Sequence, residues 1–451
     1  MKILNAIREL VRKMFPSKTI KEVYSVDIAV TDLMLRHIAE WNRMYSGKAS
    51  WLSEDVISLR LEQAIVREFA NITLNEMTAS VTDKRIDEIF KTAIKDINQN
   101  LQRGLASGAM IIKPLGGNNV QYVPQTGFIP IEYDVNGRLM KVIFPEIKQI
   151  SDREYLIRLE YHSLEPEKGL TITNRAFRSS SPDSLGKEIP LKSVPEWSSL
   201  TEGVTYPLMK RPAFGYYVNP IANSIDGSHG GVSIFDSATE LIRLADIQFG
   251  RLDWEFESAE RAIHVDDMVL CPVNTASVVQ TFEVPKLKER LFKGLNISGG
   301  TQDFFKEFSP SLREENFIKG LEEYKRAIEF TVGLSYGDIS NPQSVEKTAT
   351  EIKAAKKRKY NTVSAIQNNL KICLEDLVYA LAFFNAATQR RYEFICDFKD
   401  SILVDEETER QQDRNDVSMG IMRPEEYRAK WYGESLDEAL KNLPQSAEVI
   451  E

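Results

Sequence analysis

Few side chains in this sequence are spaced as catalysis or metal binding would require. The histidines are His37, His162, His229 and His264. They lie far apart, and none stands in a spacing typical of zinc ligands. His264, Asp266 and Asp267 form one short group of donors that a metal-dependent hydrolase could use. The charged end of a solvated strand has the same composition, so this pattern alone does not indicate a metal site.

Two further patterns fall short of known catalytic motifs. Gly47-Lys48 lacks the upstream glycine and the following hydroxyl of a phosphate-binding loop. Ser228-His229 lies between glycines, but the Gly-x-Ser-x-Gly elbow of a nucleophilic serine is absent. Asp226-Gly227 favours a turn that enters a helix. We therefore expect no enzymatic activity, no cofactor, no catalytic residue and no bound metal.

One basic cluster stands out, and it permits two interpretations. It comprises Lys353, Lys356, Lys357, Arg358 and Lys359. The cluster can form a solvated or intersubunit face, or it can contact the DNA backbone. It is not interleaved with aromatic residues of the kind that stack on single-stranded bases.

Length and charge narrow the class of protein. The chain has 451 residues, of which 42% are hydrophobic and 27% charged, and its formal net charge is −9. An acidic chain of ordinary composition excludes collagen-like and disordered proteins and disfavours a dedicated nucleic-acid binder. Three cysteines give no disulfide framework and suit a reducing compartment. No apolar stretch is long enough to span a membrane, and the charged residues within 1–15 disfavour a secretory signal.

Periodicity predicts an α+β fold with helices at both ends and an antiparallel sheet between them. Apolar residues recur every three to four positions over 55–75 and 83–108, which indicates helices. Strand-like segments at 128–134 and 138–144 flank Asn136-Gly137, and both of these turn positions should need a positive φ. Alternating segments at 155–162 and 170–177 extend the sheet.

The second half of the sequence predicts long helices. One should be capped by Ser233 and Asp236 and run to about Ile263. Another should begin at the capping box Ser311–Glu314 and end near Gly333, and the longest should run from Thr348 to about Arg390. Helices this long carry apolar stripes that one small domain cannot cover along their full length, which predicts that neighbouring subunits cover part of them. A loop rich in Gly, Ser and Asn separates the last two helices, and loops of that length are usually functional or disordered. In the tail, Ser435 with Glu438 should cap a short helix.

The order of these elements resembles the portal, or head–tail connector, proteins of tailed bacteriophages, especially those of Gram-positive hosts. The resemblance rests on GGVSIF at 230–235 followed by DSATELIRLADIQFGRLDWEFE, on GLSYGDIS at 333–340, on KTATEIKAAKKRKY at 347–360, and on MGIMRPEEYRAKWYGESLDEAL at 419–440. It covers roughly residues 25–445. No one of these segments is diagnostic, and their ordered combination carries the likeness.

The resemblance implies a helix-rich portal fold with long stem and wing helices, assembled as a ring of about twelve subunits at one capsid vertex. Carried over by position, the parts are an N-terminal arm (1–24), a wing of helices and antiparallel sheet (25–230), stem helix 1 (231–263), a small α/β clip (264–310), stem helix 2 (311–333), a tunnel loop (334–347), a long wing helix with its following segment (348–399) and a short crown with the tail (400–451). The arm matches no portal pattern.

The resemblance also implies a function and its partners. Such a ring conducts double-stranded DNA during packaging, retention and ejection. It contacts the major capsid protein, a terminase motor and a head–tail adaptor, without a membrane. It is assembled in the bacterial cytoplasm and resides in the virion. Two alternatives stay open: another phage structural protein, such as a minor head or baseplate component, and a metal-dependent hydrolase.

Three sets of residues are the candidate sites. The tunnel-loop residues expected to touch DNA are Ser335, Tyr336, Ser340, Asn341, Gln343 and Ser344. The stem residues expected opposite the apolar stripe, facing either the channel or outer solvent, are Lys319 and Arg326. The clip residues expected to meet partners are Lys286, Lys288, Arg290 and Lys293.

Overall fold

The computed structural model describes residues 17–116, 118–181, 184–259, 262–266, 292–295, 305–342, 349–385, 391–398 and 406–443. Its α-helices are α1 (Ser17–Tyr24), α2 (Asp32–Tyr45), α3 (Leu61–Leu74), α4 (Lys84–Ala93), α5 (Ile97–Ser107), α6 (Thr239–Ser258), α7 (Glu314–Val332), α8 (Ala349–Phe384), α9 (Glu406–Ser418), α10 (Pro424–Tyr432) and α11 (Leu436–Lys441).

Its strands fall into four sheets, which together with the helices give the α+β fold that the sequence predicts. They are β1 (Met77–Val81), β2 (Ala109–Gly116), β3 (Asn119–Pro124), β4 (Ile129–Tyr133), β5 (Leu139–Ser151), β6 (Glu154–Glu165), β7 (Gly169–Ser179), β8 (Lys187–Ile189), β9 (Gly203–Tyr206), β10 (Gly215–Val218), β11 (Ala262–Asp266), β12 (Phe292–Leu295), β13 (Phe305–Phe308) and β14 (Phe394–Phe398).

The main hydrophobic core forms where α2 to α5 pack around α8. Trp41, Phe69 and Phe90 are fully buried there. The apolar stripe predicted for α8 is confirmed between Val363 and Leu381, where the side chains of the stripe are buried. The helix ends at Phe384, earlier than predicted, and Phe384 itself is partly exposed. Because α8 meets so many elements, it fixes their relative positions.

The antiparallel sheet of the first half is confirmed and is larger than the sequence predicts. Its strands run in the order β4-β5-β6-β7-β8, and β9 also pairs with β7. Helix α1 packs on this sheet through Ile20, which is fully buried with Ile143 and Ile157. The segment 17–24 is therefore a packed helix, although the predicted N-terminal arm includes it. A second sheet, in the order β10-β2-β3, lies against α8.

The hairpin at Asn136-Gly137 is confirmed, but its turn type differs from the prediction. Gly137 has a φ of +79°, whereas Asn136 is not among the described residues with a positive φ. The Gly137 N–H donates to the Asp134 carbonyl at 3.0 Å, and the Asp134 carboxylate accepts from the Arg138 N–H at 2.8 Å. The Asp134 side chain thus satisfies the turn, so that only the glycine needs the left-handed conformation.

Several predicted helix boundaries are wrong. The stripe over 83–108 is divided between α4 and α5 by a turn at 94–96, although both parts stay buried. Helix α6 ends at Ser258, and Ile263 lies in strand β11. Periodicity could not show this end because a short apolar strand continues a helical stripe without a visible break.

Two predicted N-caps are also wrong, while a third is confirmed. Ser233 and Asp236 precede α6, and Asp236 instead accepts a hydrogen bond from the Trp41 indole at 2.9 Å. Helix α7 begins after Arg313 without a side-chain cap from Ser311. In the tail, Ser435 and Glu438 do form a capping box at α11. Among the described residues, no helix combines the length and the apolar character needed to cross a membrane.

A pair of buried carboxyl groups joins α3 to α6. Asp246 of α6 is 1% exposed and accepts hydrogen bonds from the Trp51 indole at 2.9 Å and the Leu59 N–H at 2.8 Å. Glu62 of α3 is 2% exposed, and its Oε1 has no hydrogen-bond partner among the described residues. Burial, together with the charge of Asp246, raises the pKa of Glu62 to about 7. Burial also raises the pKa of Asp246.

Replacing Glu62 with Gln should make folding less sensitive to pH. Because the folded-state pKa is raised from 4.5 to about 7, the protonated carboxyl is the form that suits the core. Its contribution to stability is complete below pH 4.5 and is lost as the pH rises through 7. At pH 8, we expect the free energy of unfolding of Glu62→Gln to be higher than that of the parent by roughly 2–3 kcal/mol. At pH 4.5, we expect little difference between the two proteins.

The measurement is chemical unfolding of the full chain between pH 4.5 and pH 8. Glu54→Gln is the matched control because Glu54 is exposed in the loop before α3. Parallel pH curves for the parent and Glu62→Gln would show that Glu62 does not titrate in this range.

Candidate functional site

Helices α6 and α7 form an antiparallel pair clasped at one end. The Arg313 backbone N–H donates to Glu255 Oε1 at 3.1 Å, and the Arg313 guanidinium donates to Glu255 Oε2 at 2.7 Å. Further along, the Gln248 amide donates to the Phe317 carbonyl at 3.4 Å. Residues earlier in α6 therefore lie beside residues later in α7, which shows that the two helices run in opposite directions. The clasp holds the end of the pair from which the 264–310 segment departs.

The two halves of this pair differ in burial. We call residues 239–246 with 321–332 the inner half, and residues 247–258 with 312–320 the outer half. The buried side chains of the inner half are Ile242, Ala245 and Asp246 of α6, and Leu321, Ile328, Glu329 and Val332 of α7. In the outer half, Leu252 and Glu255 are the buried side chains. Only the inner half therefore contributes substantially to the main core.

The outer half exposes large apolar side chains. Trp254 is 63% exposed, and Phe256, Leu312 and Ile318 are each between 45% and 47% exposed. Trp254 and Phe256 are two positions apart on α6 and therefore lie about 200° apart around its axis, so the four residues are spread around the outer half and do not form one face. Large exposed apolar side chains grouped in one part of a structure are typical of surfaces that bind other proteins. We call these four residues the stem patch.

The clip segment is described only in part. Its three short strands form a sheet in the order β12-β11-β13, in which β11 is parallel to β12 and antiparallel to β13. Lys293 lies in β12, where the structure describes the backbone and not the side chain. Lys286, Lys288 and Arg290 lie outside the described residues, so the predicted partner contacts of the clip stay a prediction.

The predicted tunnel loop begins with a compact folded segment. The Glu329 carboxylate, which is fully buried, accepts hydrogen bonds from the backbone N–H groups of Gly337, Ile339 and Ser340 at 3.1, 2.7 and 2.8 Å. Its second oxygen accepts from the Ser340 hydroxyl at 2.8 Å. One side chain of α7 therefore satisfies much of the backbone of 337–340.

A second carboxylate supports the next residue of the loop. Glu322 Oε2 accepts from the Asn341 N–H at 2.7 Å, and Lys325 lies 2.8 Å from Glu322 Oε1. Burial alone would raise the pKa of Glu322. The Asn341 N–H and the Lys325 ammonium more than offset this, and the pKa lies below its ordinary value. Glu322 is therefore charged at neutral pH.

The predicted DNA-contacting residues of the loop differ in accessibility. Ser340 is 6% exposed, and its hydroxyl donates a hydrogen bond to Glu329. The Ser335 hydroxyl is also buried. The prediction that these two hydroxyls face DNA is therefore wrong for this conformation. Tyr336 is half-buried and Asn341 is exposed. Gln343 and Ser344 lie outside the described residues.

The basic cluster of α8 is divided by its environment. Lys359 is 8% exposed and lies 2.9 Å from Asp338 of the loop and 3.0 Å from Glu68 of α3. Arg358 lies over the Phe330 ring, 4.3 Å from its centroid. Lys356 and Lys357 are exposed, and the side chain of Lys353 is not described. Lys359 is therefore an internal ion-pair residue, whereas Lys356 and Lys357 are accessible to a partner.

The two predicted channel cations of α7 do not share one environment. The Lys319 side chain is 74% exposed and lies 3.6 Å from Glu315. The Arg326 side chain is 18% exposed and is paired with Glu323. Lys319 is therefore accessible and Arg326 is largely shielded in the single chain, and the prediction that they face a channel or outer solvent stays a prediction. A helical wheel places a side chain by angle but does not show how a long guanidinium folds back onto a neighbour.

Sequence reasoning missed Glu329 and the internal ion pairs of Lys359, although one signal pointed to Glu329. An acidic residue one turn before the end of a helix opposes the helix dipole, so it needs another source of stabilisation. The glycine-rich loop that follows supplies it. Among the described residues, no group of three side chains is placed to hold a metal ion. The carboxylates of the alternative hydrolase site lie outside the described side chains.

Several solved structures are similar to this chain. No family model matches the sequence, and no curated protein matches it. A solved structure described as the neck of a native GTA particle with C12 symmetry matches with a TM-score of 0.45 and 11% identity, over 90% of this chain and 93% of that one. The neck of an empty GTA particle with C6 symmetry matches with a TM-score of 0.44 and 11% identity, over 88% and 93%.

Replacing Lys359 with Met should destabilise the junction of α3, α8 and the loop. The change leaves Asp338 and Glu68 without their shared cation, and both are partly shielded from water. We expect a loss of about 1–3 kcal/mol in the free energy of unfolding, less than for a fully buried pair. Lys356→Met, an exposed change on the same helix, should cost under about 0.5 kcal/mol. Equal urea midpoints for the two variants would contradict the assignment.

Proposed function

We propose that this chain assembles with copies of itself into a ring that forms the DNA channel of a phage-like particle, as a portal protein does. The observation that carries the proposal is the stem patch. Its apolar side chains lie on a clasped helix pair whose outer half has little core of its own. Burying them against an adjacent copy would remove this apolar surface from water. In a ring, each copy offers the same two surfaces to its neighbours, which closes the assembly.

The order of elements supports the portal assignment over other ring proteins. An antiparallel helix pair carries a strand-containing insertion at one end and a glycine-rich loop at the other, and the loop leads into α8 of 36 residues. This is the order of stem, clip, tunnel loop and wing helix in the resemblance above. The β-rich region of 109–218 would then form part of the wing, and α9 to α11 a short crown.

Charge supports a channel through which DNA slides. The chain carries a formal net charge of −9, and like charge disfavours tight contact with phosphate. The exposed Asn341 amide offers hydrogen-bonding groups without charge. We propose that the loop touches DNA through such transient contacts. The chain itself would then be a conduit, with packaging energy supplied by a separate terminase motor and no catalytic residue of its own.

The remaining partners follow from this geometry. The clip, at the outer end of the stem, would meet the motor during filling and the head–tail adaptor afterwards. The wing would contact the major capsid protein. Assembly would take place in the cytoplasm of the bacterial host, and the ring would remain in the virion.

Native mass and imaging test the ring directly. Twelve copies of 51.4 kDa give 12 × 51.4, or about 617 kDa. We expect the parent chain to give a species near this mass and end-on images with an axial hole. Trp254→Asp places a charge in the stem patch and should reduce the assembled fraction severalfold, because a buried unpaired charge is costly.

Val135→Asp is the control for this variant, since Val135 is 94% exposed at the β4–β5 turn, outside the stem patch. It should assemble normally. A parent chain that stays at 51.4 kDa would contradict the ring, and a ring without an axial hole would favour another particle component.

Lys319 tests the charge of the stem surface. If its exposed ammonium faces the channel, about twelve copies form a positive band that slows DNA slippage, most strongly at low salt. We expect Lys319→Gln to leave ring mass unchanged and to increase DNA loss from filled particles at low ionic strength, with the difference vanishing as salt rises. Retention equal to that of the parent at every ionic strength would place Lys319 on the outer surface.

A further inference from the structure

Residues 333–342, which comprise the glycine that ends α7 and the start of the loop, have the contacts of a folded unit. Gly333 ends α7 with a φ of +87°, and a Cβ at this position would lie 2.6 Å from the Thr362 hydroxyl of α8. Gly337 has a φ of +94°. Gly333 therefore serves a close approach to α8, and Gly337 serves a turn within the loop that brings it near Pro342. This is a different use of glycine from that in a flexible linker.

Three carboxylates hold this unit from different directions. Glu329, on α7, accepts hydrogen bonds from backbone N–H groups within 337–340. Glu322 accepts from the Asn341 N–H, and Asp338 accepts from the Ser335 N–H at 2.8 Å. Asp338 also pairs with Lys359, which reaches Glu68 on α3. The unit is thus connected to α3, α7 and α8 together.

We propose that residues 333–342 form a fixed base of the loop and that Glu329 is the positioning residue that holds it. Glu329 is suited to this because it is fully buried and its two oxygens accept four hydrogen bonds from the base. Hydrogen bonds to a charged acceptor are stronger than neutral ones, and breaking them would leave a buried charge unsatisfied. These contacts therefore hold the base in one conformation.

This inference rests on the proposed function for one consequence. If the loop lies in a DNA channel, the base sets the height at which it meets DNA. The buried hydroxyls of Ser335 and Ser340 then serve the fold of the base, and contact with DNA falls to exposed groups such as the Asn341 side chain.

Hydrogen exchange measured by mass spectrometry on the assembled full chain tests the fixed base without DNA. In the parent, peptides covering 335–341 should be protected. Glu329→Ala should speed their exchange at least about tenfold, and peptides of β6 should be unchanged. Glu329→Gln should be intermediate, since its carbonyl still accepts from backbone N–H groups. Glu323→Gln, an exposed change on the same helix, is the matched control and should behave as the parent.

Two results would overturn the fixed base. One is exchange of 335–341 in the parent at the rate of an unstructured peptide. The other is equal protection in the parent and Glu329→Ala. If Glu329→Ala fails to fold, Ser340→Ala keeps the inference falsifiable. It removes the hydrogen bond from the Ser340 hydroxyl to Glu329 and the one that this hydroxyl accepts from the Gly337 N–H, and it should speed exchange of the same peptides by about threefold.

DNA retention in filled particles tests the consequence separately. Loss of DNA from particles carrying Glu329→Ala, with ring mass unchanged and Glu323→Gln retaining DNA normally, would support a base that positions the loop in the channel. Faster exchange of 335–341 with normal retention would leave the fixed base intact and overturn the placement of the loop at the DNA. Failure of the base and failure of the channel are therefore distinguishable.

Discussion

The burial of α8 is the constraint on which the rest of the structure depends. A helix of 36 residues is about 54 Å long, and the described side chains of its stripe from Val363 to Leu381 are excluded from water. No single layer can cover such a helix, so helices, two small sheets and the loop base each cover part of it. At Gly215 of β10, a Cβ would come within 2.3 Å of the Cys373 carbonyl, which shows how closely strand and helix approach.

Polar contacts, in addition to apolar packing, hold the α6–α7 pair together and connect it to the neighbouring loops. Asp246, Glu255 and Glu329 are each at most 4% exposed, and each accepts a backbone N–H from a segment that is not helical. A buried carboxylate must be satisfied, and backbone N–H groups at loop ends also need acceptors. Each carboxylate therefore selects one path for the adjoining loop. This leaves the apolar side chains of the outer half free for contacts with other chains.

The regular parts of the fold could be predicted from the sequence because their signals are local. Alternation over 155–162 and 170–177 indicated strands, and the tail helix at Ser435 was marked by its capping box. The end of α6 could not be predicted, since strand β11 continues its apolar pattern. The roles of Glu329 and Lys359 depend on groups brought from distant parts of the chain, and Lys359 meets Glu68 across 291 positions. Length and composition indicated a functional or disordered loop, and they could not show that Gly333 is needed for close packing against α8.

The pairing of β1 with β14 has a consequence for how the protein is made. Met77 lies opposite Phe398, and Val81 lies opposite Phe394. Strand β1 therefore cannot pair until β14, more than 300 residues later in the sequence, has been synthesised. At a synthesis rate of roughly 5–20 residues per second, the ribosome needs tens of seconds to supply the partner strand and all of α8. During that interval the apolar faces of α2 to α5 have no α8 to cover them. Until α8 has been made, the nascent chain therefore exposes apolar surface of the kind that chaperones bind.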